Sequence, residues 1–444
     1  MYLKRKIDLF LESWFVNPDR KPLIVKGARQ VGKTVGITNF ANNHYENIVY
    51  INFVLEPQFK TILEGGFKVE EIIKRITRID PKKRFVPKKT LLFFDEIQDL
   101  IDISTALKFI KLDGQYDCIC SGSLLGINYN KITSMSVGFA DEWEMHSLDF
   151  EEFLWALGYD DSLREYFLDN MIQCKPFSAN EMNHFMDVFL DYTILGGMPE
   201  VVADYIKNGR SFEGSDQCQK RILSGYKVDI TKYAEGLDRS RILSVYNHIP
   251  VQLAKENKKF QLSRVERNAR FRDYHGTIEW LYDAGLINIC YCINKLELPL
   301  KGNYDQTKYK LYSSDTGLLV SRLDSESQED LRANKNLGIY KGGLYENIIG
   351  EALVKSGFEL YYFRKGDSTL EIDFLLRSKN CIVPIEVKAN NGNAKSLKTV
   401  LDSKLYPEIT YGIKMANRNI GFLNSIYTFP YFLSFLLGAF LKNK

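Results

Sequence analysis

The stretch Gly27-Ala28-Arg29-Gln30-Val31-Gly32-Lys33-Thr34 constrains this chain more than any other. It fits the pattern G-x-x-x-x-G-K-[ST], and its surroundings suit it. The apolar run Leu23-Ile24-Val25 before it reads as a buried strand, and Thr34 to Ala41 can open a helix. Gly27 and Gly32 permit a tight loop whose backbone N–H groups, from Gly27 through Thr34, face a phosphate at the positive end of that helix. Lys33 then reaches the β- and γ-phosphates of ATP, and the Thr34 hydroxyl ligates Mg2+. A glycine turn beside an ordinary surface lysine is the plainer alternative, but it leaves the agreement of strand, loop and helix unexplained.

A later strand, Leu91-Leu92-Phe93-Phe94, ends in Asp95-Glu96. In a Walker B arrangement Asp95 holds the Mg2+ shell, and Glu96 orients and deprotonates the attacking water. The next strand, Cys118-Ile119-Cys120, ends in Ser121-Gly122-Ser123, where Ser121 or Ser123 can meet the γ-phosphate or that water; Ser-Gly-Ser is also an ordinary turn. Asn47–Phe53 reads as a further strand, and residues 3–16, 69–79 and 105–112 as helices. Strands alternating with helices, with chemistry at the strand ends, predict an α/β fold with a parallel sheet over residues 1–148.

Composition sets the remaining bounds. With 444 residues, 45% hydrophobic and 26% charged, the chain has the make-up of a globular protein of about three domains. The net charge of +3 confines any nucleic-acid surface to a local patch. Seven cysteines without CxxC pairs exclude a zinc ribbon. Cys118 and Cys120, like Cys290 and Cys292, alternate in apolar runs, which suits structural thiols in the cytoplasm. The N-terminus has no continuous apolar signal core. Residues 426–441 are strongly apolar but short for a membrane span and interrupted by Pro430, so a packed terminal helix or strand is expected.

From Asp149 to about Tyr233 the periodicity is helical and breaks at Leu195-Gly196-Gly197-Met198-Pro199; residues 149–239 read as a helical lid or linker. Residues 240–330 read as a winged helix: helices at 242–256 and 274–284, then a two-stranded wing at 286–293 and 309–312. Lys255, Lys258, Lys259, Arg264, Arg267, Arg270 and Arg272 make that module a candidate for DNA phosphates. Winged helices also dock proteins, so a protein partner is the competing expectation.

The last domain, residues 331–444, has a helix at 344–355 and strands at 360–363, 371–376 and 382–388. With Lys379-Asn380 as a hairpin turn, Asp373 lies opposite Glu386 and Glu371 opposite Lys388. A four-residue loop keeps that register and a three-residue loop breaks it. Facing carboxylates repel by up to about 1 kcal/mol. A second divalent cation, Mg2+ or Mn2+, would turn that cost into a binding site, with Lys388 positioning a water. This D…E-x-K arrangement is the PD-(D/E)xK nuclease pattern; its plain alternative is a hairpin with charges on its wet face. Glu346 and Glu351 border opposite sides of the stripe Ile348-Ile349-Ala352-Leu353, and spacing does not choose a helix carboxylate between them.

Taken in order, these pieces resemble a prokaryotic family of AAA-type P-loop ATPases whose C-terminal half is a domain of unknown function with a restriction-endonuclease-like end. The resemblance rests on residues 27–34 and Phe-Phe-Asp-Glu-Ile-Gln at 93–98. It continues with Ser-Gly-Ser-Leu-Leu-Gly at 121–126, Leu-Asp-Phe-Glu-Glu-Phe-Leu at 148–154 and Leu-Gly-Gly-Met-Pro at 195–199. Asp-Thr-Gly-Leu-Leu at 315–319, Tyr-Glu-Asn at 345–347, Glu-Ile-Asp-Phe at 371–374 and Ile-Glu-Val-Lys at 385–388 complete it. It implies ATP binding and hydrolysis and selects Glu346 as the helix carboxylate. The family often carries a basic residue after Val137-Gly138, where this chain has Phe139, so charge stabilisation there would fall to another arginine. Three functions remain as expectations: an ATPase moving its C-terminal half on DNA, an ATP-controlled nuclease, and a nucleotide switch for a protein partner. Each is compatible with oligomerisation.

Overall fold

The apolar runs before the glycine loop and before Asp95-Glu96 are buried strands. The computed structural model describes residues 1–123, 138–234, 238–335, 339–366, 369–389, 392 and 394–444. They divide into two compact units, one of residues 2–147 with 283–285, the other of 148–282 and 286–444 with Met1. The first unit runs α1 (Lys6–Val16), β1 (Leu23–Gly27), α2 (Lys33–His44), β2 (Asn47–Asn52), α3 (Val69–Ile79), β3 (Thr90–Asp95), α4 (Ile103–Asp113), β4 (Asp117–Ser123) and β5 (Asp141–Glu144). Its sheet is parallel throughout, in the order β2-β3-β4-β1-β5. Ile24, Ile51, Leu92, Phe94, Cys118 and Cys120 bury one face under α3 and α4. Leu23, Val25, Leu91, Phe93 and Ile119 bury the other under α1 and α2. Two covered faces explain why these strands are unbroken apolar runs and not alternating ones.

The second unit begins with helices: α5 (Phe150–Ala156), α6 (Asp161–Gln173), α7 (Ala179–Leu195), α8 (Pro199–Lys207), α9 (Ser215–Tyr233), α10 (Arg239–Leu253) and α11 (Phe271–Asp283). Capping boxes start α5, from Asp149 to Glu152, and α7, from Ser178 to Glu181. There follow β6 (Ile287–Ile293), β7 (Tyr304–Ser313), α12 (Thr316–Val320), α13 (Ser325–Arg332), α14 (Ile339–Lys355), β8 (Leu360–Arg364) and β9 (Glu371–Ile372). The chain closes with β10 (Phe374–Ser378), β11 (Cys381–Lys388), α15 (Lys395–Leu401), β12 (Gly412–Ala416), β13 (Gly421–Leu423), β14 (Ile426–Pro430) and α16 (Leu437–Lys442).

Two features depart from the sequence reading. The β6–β7 hairpin is not a free two-stranded wing, because β6 also pairs with β8 in the sheet β7-β6-β8-β9. The run 371–376 is broken at Asp373: Glu371 pairs with Arg364 of β8, while Phe374 pairs with Ile385 of β11 in the sheet β10-β11-β12-β14-β13. The turn Lys379-Asn380 and the register from Phe374 to Ser378 are as expected, but Glu371 has left the hairpin and does not face Lys388. The apolar C-terminus folds as β14, a 3-10 turn and α16, all largely buried. No described helix is long and apolar enough to cross a membrane.

Several of the quoted motifs lock to one another inside this unit. Leu148 donates its N–H to the Gly197 carbonyl at 2.7 Å, and Gly197 donates to Asp315 Oδ2 at 2.8 Å. Asp315 Oδ1 caps α12 through the Leu318 N–H at 3.0 Å. Asn347 of α14 takes the Ser313 N–H at 2.7 Å and donates to the Thr316 hydroxyl at 2.9 Å, and Glu351 takes the Thr316 N–H at 2.8 Å. The backbones touch so closely that a Cβ on Gly197 would lie 2.0 Å from the Leu148 carbonyl oxygen. Gly197→Ala should therefore cost about 3 kcal/mol, the upper end for overpacking. Gly421→Ala, where a Cβ meets nothing within 4 Å, should stay within about 0.5 kcal/mol of wild type in urea unfolding.

Candidate functional site

β1 ends at Gly27 and α2 starts at Lys33, so the loop between them is short and steeply turned. Gly32, at φ 97°, is the left-handed N-cap of α2 and offers no side chain to cap it. The first-turn N–H groups of α2 are therefore left to an outside acceptor, the condition for phosphate at a helix start. Gly27 passes so near β5 that a Cβ would lie 2.2 Å from the Met145 carbonyl oxygen. Arg5, buried, donates to the carbonyls of Val31 at 2.8 Å and His146 at 2.7 Å and so pins the loop from below. The buried Lys33 ammonium rests on the carbonyls of Gly27 (2.9 Å) and Ala28 (2.8 Å). Burial pushes it down to about 8 against the opposing pull of Glu96 and Asp95.

Asp95 closes β3 and is buried, so its lone pairs must be met. Oδ2 accepts from the Thr34 hydroxyl at 3.0 Å, the Tyr50 hydroxyl at 3.0 Å and Asn52 Nδ2 at 3.2 Å. Oδ1 accepts from the Ser121 hydroxyl and, at 3.0 Å, from the Glu96 N–H. A hydroxyl and a carboxylate at one point are hard oxygen donors, and Thr34 with Asp95 fits Mg2+. Glu96 stands in the left-handed region at φ 56°, uncommon for a non-glycine residue, and its carboxylate accepts from Gln98 Nε2. The register places Ser121 beside Asp95 and Ser123 beside Gly27. The N-terminal candidates thus meet at the C-terminal ends of β1, β3 and β4. Residues 124–126 of the Ser121–Gly126 motif, and Val137, lie outside the described residues. Arg5, Tyr50, Asn52 and Gln98 were not anticipated; a polar residue closing an apolar strand, as Asn52 does, was the signal available.

The C-terminal candidates separate. Glu346 is buried on α14 near Asp373, whereas Glu351 turns away to Thr316 and Lys355. Asp373 Oδ2 accepts from the Val387 N–H at 2.8 Å, while Glu386 pairs with Lys388 and takes the Leu397 N–H at 3.4 Å. Between the carboxylates lies an unforeseen group. The buried Lys310 ammonium of β7 is 2.7 Å from Glu371, 3.3 Å from Glu346 and 3.7 Å from Asp373. Lys258 pairs with the other Glu346 oxygen, and the Tyr312 hydroxyl donates to Glu346 at 3.1 Å. Burial works against the Lys310 charge, yet Glu346 and its neighbours hold that ammonium well above the lysine range. Burial also opposes ionised Glu346, but Lys310 and Lys258 bring it down to about 2. Burial first, and then the Glu346 charge, push Asp373 up to about 7.

Among the described residues no three His, Cys, Asp or Glu side chains converge as a metal set. With the Lys310 ammonium among Glu346, Glu371 and Asp373, and Lys388 on Glu386, the residues do not fit a second divalent cation. A lysine inside the strand Tyr309-Lys310-Leu311-Tyr312 was the missed signal. Lys310→Met should cost about 3–5 kcal/mol by stranding buried carboxylates. The loss should be larger at pH 8, where Asp373 is ionised, than at pH 5, where it takes a proton; urea unfolding at the two pH values checks this.

Comparison with known proteins fits this geometry. Residues 19–154 match the family model described as an AAA domain. Residues 186–329 and 341–432 match two domains of unknown function, DUF8612 and DUF4143. No curated protein matches the chain. Among solved structures, the Walker-type ATPase PABY2304 of Pyrococcus abyssi is 16% identical, covering 72% of this chain and 96% of its own, with a TM-score of 0.43. Orc1 of Aeropyrum pernix in complex with DNA is 12% identical (75% and 93% covered, TM-score 0.27). AMPPCP-bound DnaA of Aquifex aeolicus is 13% identical (62% and 85%, TM-score 0.28). On the family match and the loop, strand order and buried Asp95 together, the N-terminal unit is an AAA-type P-loop ATPase domain.

Proposed function

We propose that the chain is a Mg2+-dependent ATPase whose nucleotide state governs a DNA-binding C-terminal half. The observation that carries the reading is the direct bond from Thr34 to the buried Asp95 beneath the glycine loop. The loop N–H groups and Lys33 bind the β- and γ-phosphates, Lys33 exchanging carbonyl partners for phosphate oxygens. Thr34 and Asp95 would hold Mg2+, which would supply charge stabilisation for the phosphates. Glu96 takes a proton from water as the water oxygen bonds to the γ-phosphorus. The bond from that phosphorus to the β–γ bridging oxygen breaks, and ADP leaves with the electron pair.

The division into core (1–148), helical lid (149–239), winged helix (240–330) and nuclease-like end (331–444) belongs to the same proposal. The order α10, a short 3-10 turn at Leu262–Arg264, α11 and the β6–β7 hairpin supports the winged helix. Arg264, Arg267, Arg270 and Arg272 are exposed on one short stretch there, which favours DNA over a protein partner. The mixed sheet around β10–β11 with α14 supports a nuclease-like shape, while Lys310 speaks against cleavage. The seven free cysteines suit a cytoplasmic setting.

Lys33→Ala should abolish ATP binding, whereas Glu96→Gln should bind ATP and turn it over about 100- to 10,000-fold more slowly in steady-state phosphate release. Unchanged turnover in Glu96→Gln would remove the catalytic assignment. Replacing Arg264, Arg267 and Arg270 together with alanine should weaken duplex DNA binding and flatten its dependence on salt, by roughly one unit of slope for each phosphate no longer neutralised, measured by fluorescence anisotropy. DNA incubated with the wild type and Mg2+ or Mn2+ should stay intact.

A further inference from the structure

The Walker B strand is followed by a single 3-10 turn, Ile97–Asp99, and the residue at its centre is Gln98. Gln98 is buried, 9% exposed, beside a catalytic carboxylate that is itself half-buried. Its amide can lie only one way round. A carboxylate accepts hydrogen bonds and donates none, so the amide must present Nε2 to Glu96 Oε2, as it does. That leaves Oε1 as a buried acceptor, and no group among the described residues donates to it. Buried acceptors are rarely left unmet, and one left so next to a reacting group calls for a ligand.

The missing donor is chemically specified. It must bring an O–H or N–H to Oε1 while lying beside Glu96. A water about to attack phosphorus has two O–H bonds to place: one proton goes to the general base, and the other needs a fixed acceptor so that the oxygen lone pair faces phosphorus. Glu96 offers the first acceptor and Gln98 Oε1 the second. The left-handed backbone at Glu96 supplies the turn that sets the two side chains side by side.

We propose that Gln98 is a second catalytic residue: its Nε2 orients the Glu96 carboxylate, and its Oε1 receives the second O–H of the attacking water. The inference rests on the hydrolytic reading above. Glu96 remains the proton acceptor, and the bonds made and broken are unchanged.

The test is steady-state ATP hydrolysis by the full chain, with ATP binding and thermal unfolding measured in parallel. Gln98→Met keeps the side-chain volume and removes both polar groups. It should lower kcat about 100-fold, leave the KM for ATP within about threefold, and leave the Tm within about 3 °C of wild type, because losing the Nε2 bond to Glu96 is offset by removing an unmet buried acceptor. A structural role alone would lower the Tm of Gln98→Met in step with its loss of kcat, and this result would overturn the proposal. So would a kcat within threefold of wild type in Gln98→Met. Wild-type protein that binds ATP without hydrolysing it would sink the hydrolytic reading and this inference with it. Turnover that Gln98→Met retains sinks the inference alone.

Discussion

Burying an ionised carboxylate is costly unless its lone pairs are met, and the N-terminal unit is built around the one that ends β3. The donors to Asp95 come from segments far apart in sequence: Thr34 at the start of α2, Tyr50 and Asn52 at the end of β2, Ser121 at the end of β4. Together they fix the tips of α2, β2 and β4 relative to β3, so the carboxylate sets the shape of these strand ends as well as their chemistry. Asn52 extends the connection, because its Oδ1 takes the N–H groups of Val54 and Leu55, both at 3.0 Å. A change in what Asp95 binds therefore reaches the exposed chain after β2 through one side chain.

The second unit solves a similar problem by different means. Its helices and sheets are held by backbone-to-backbone approaches at Gly197 and Gly317 and by side chains that satisfy loop N–H groups, as Asp315, Asn347 and Glu351 do. The motifs at 148, 195–199, 315–319 and 345–347 look unrelated in sequence because their meaning is mutual: a glycine is needed only where another chain segment's carbonyl comes to about the distance of a missing Cβ. This accounts for several motifs with no reference to chemistry.

The core of the ATPase domain was legible because its signals are local. A glycine loop between an apolar strand and a helix, and an apolar run ending in Asp95-Glu96, each declare their geometry within a few residues. What could not be read depended on distant pairing. β5 is Asp-Glu-Trp-Glu, a segment with no strand signature, and it extends because β1 offers it an open edge. The break at Asp373 is invisible in Glu-Ile-Asp-Phe, since it arises from two sheets competing for one strand. Lys310 and Lys258 are remote in sequence from Glu346 and Asp373, and no spacing rule relates them.

The two carboxylate clusters now differ in a way that bears on function. The groups bonded to Asp95 are hydroxyls, an amide and a backbone N–H, all neutral, and Lys33 sits on loop carbonyls at a distance from that network. The Asp95 carboxylate is met by neutral donors and feels Lys33 only through space, and a cation arriving with a nucleotide brings a closer counter-charge. At the other cluster, Glu346, Glu371 and Asp373 face Lys310, Lys258 and Arg364, so the counter-charge is part of the chain. A cation entering there would have to expel a buried ammonium and leave it unpaired, at a cost of several kcal/mol. One cluster is therefore arranged to exchange its partner and the other to keep it. That asymmetry supports the proposed reading, in which ATP is the consumed substrate and the C-terminal fold binds without cutting.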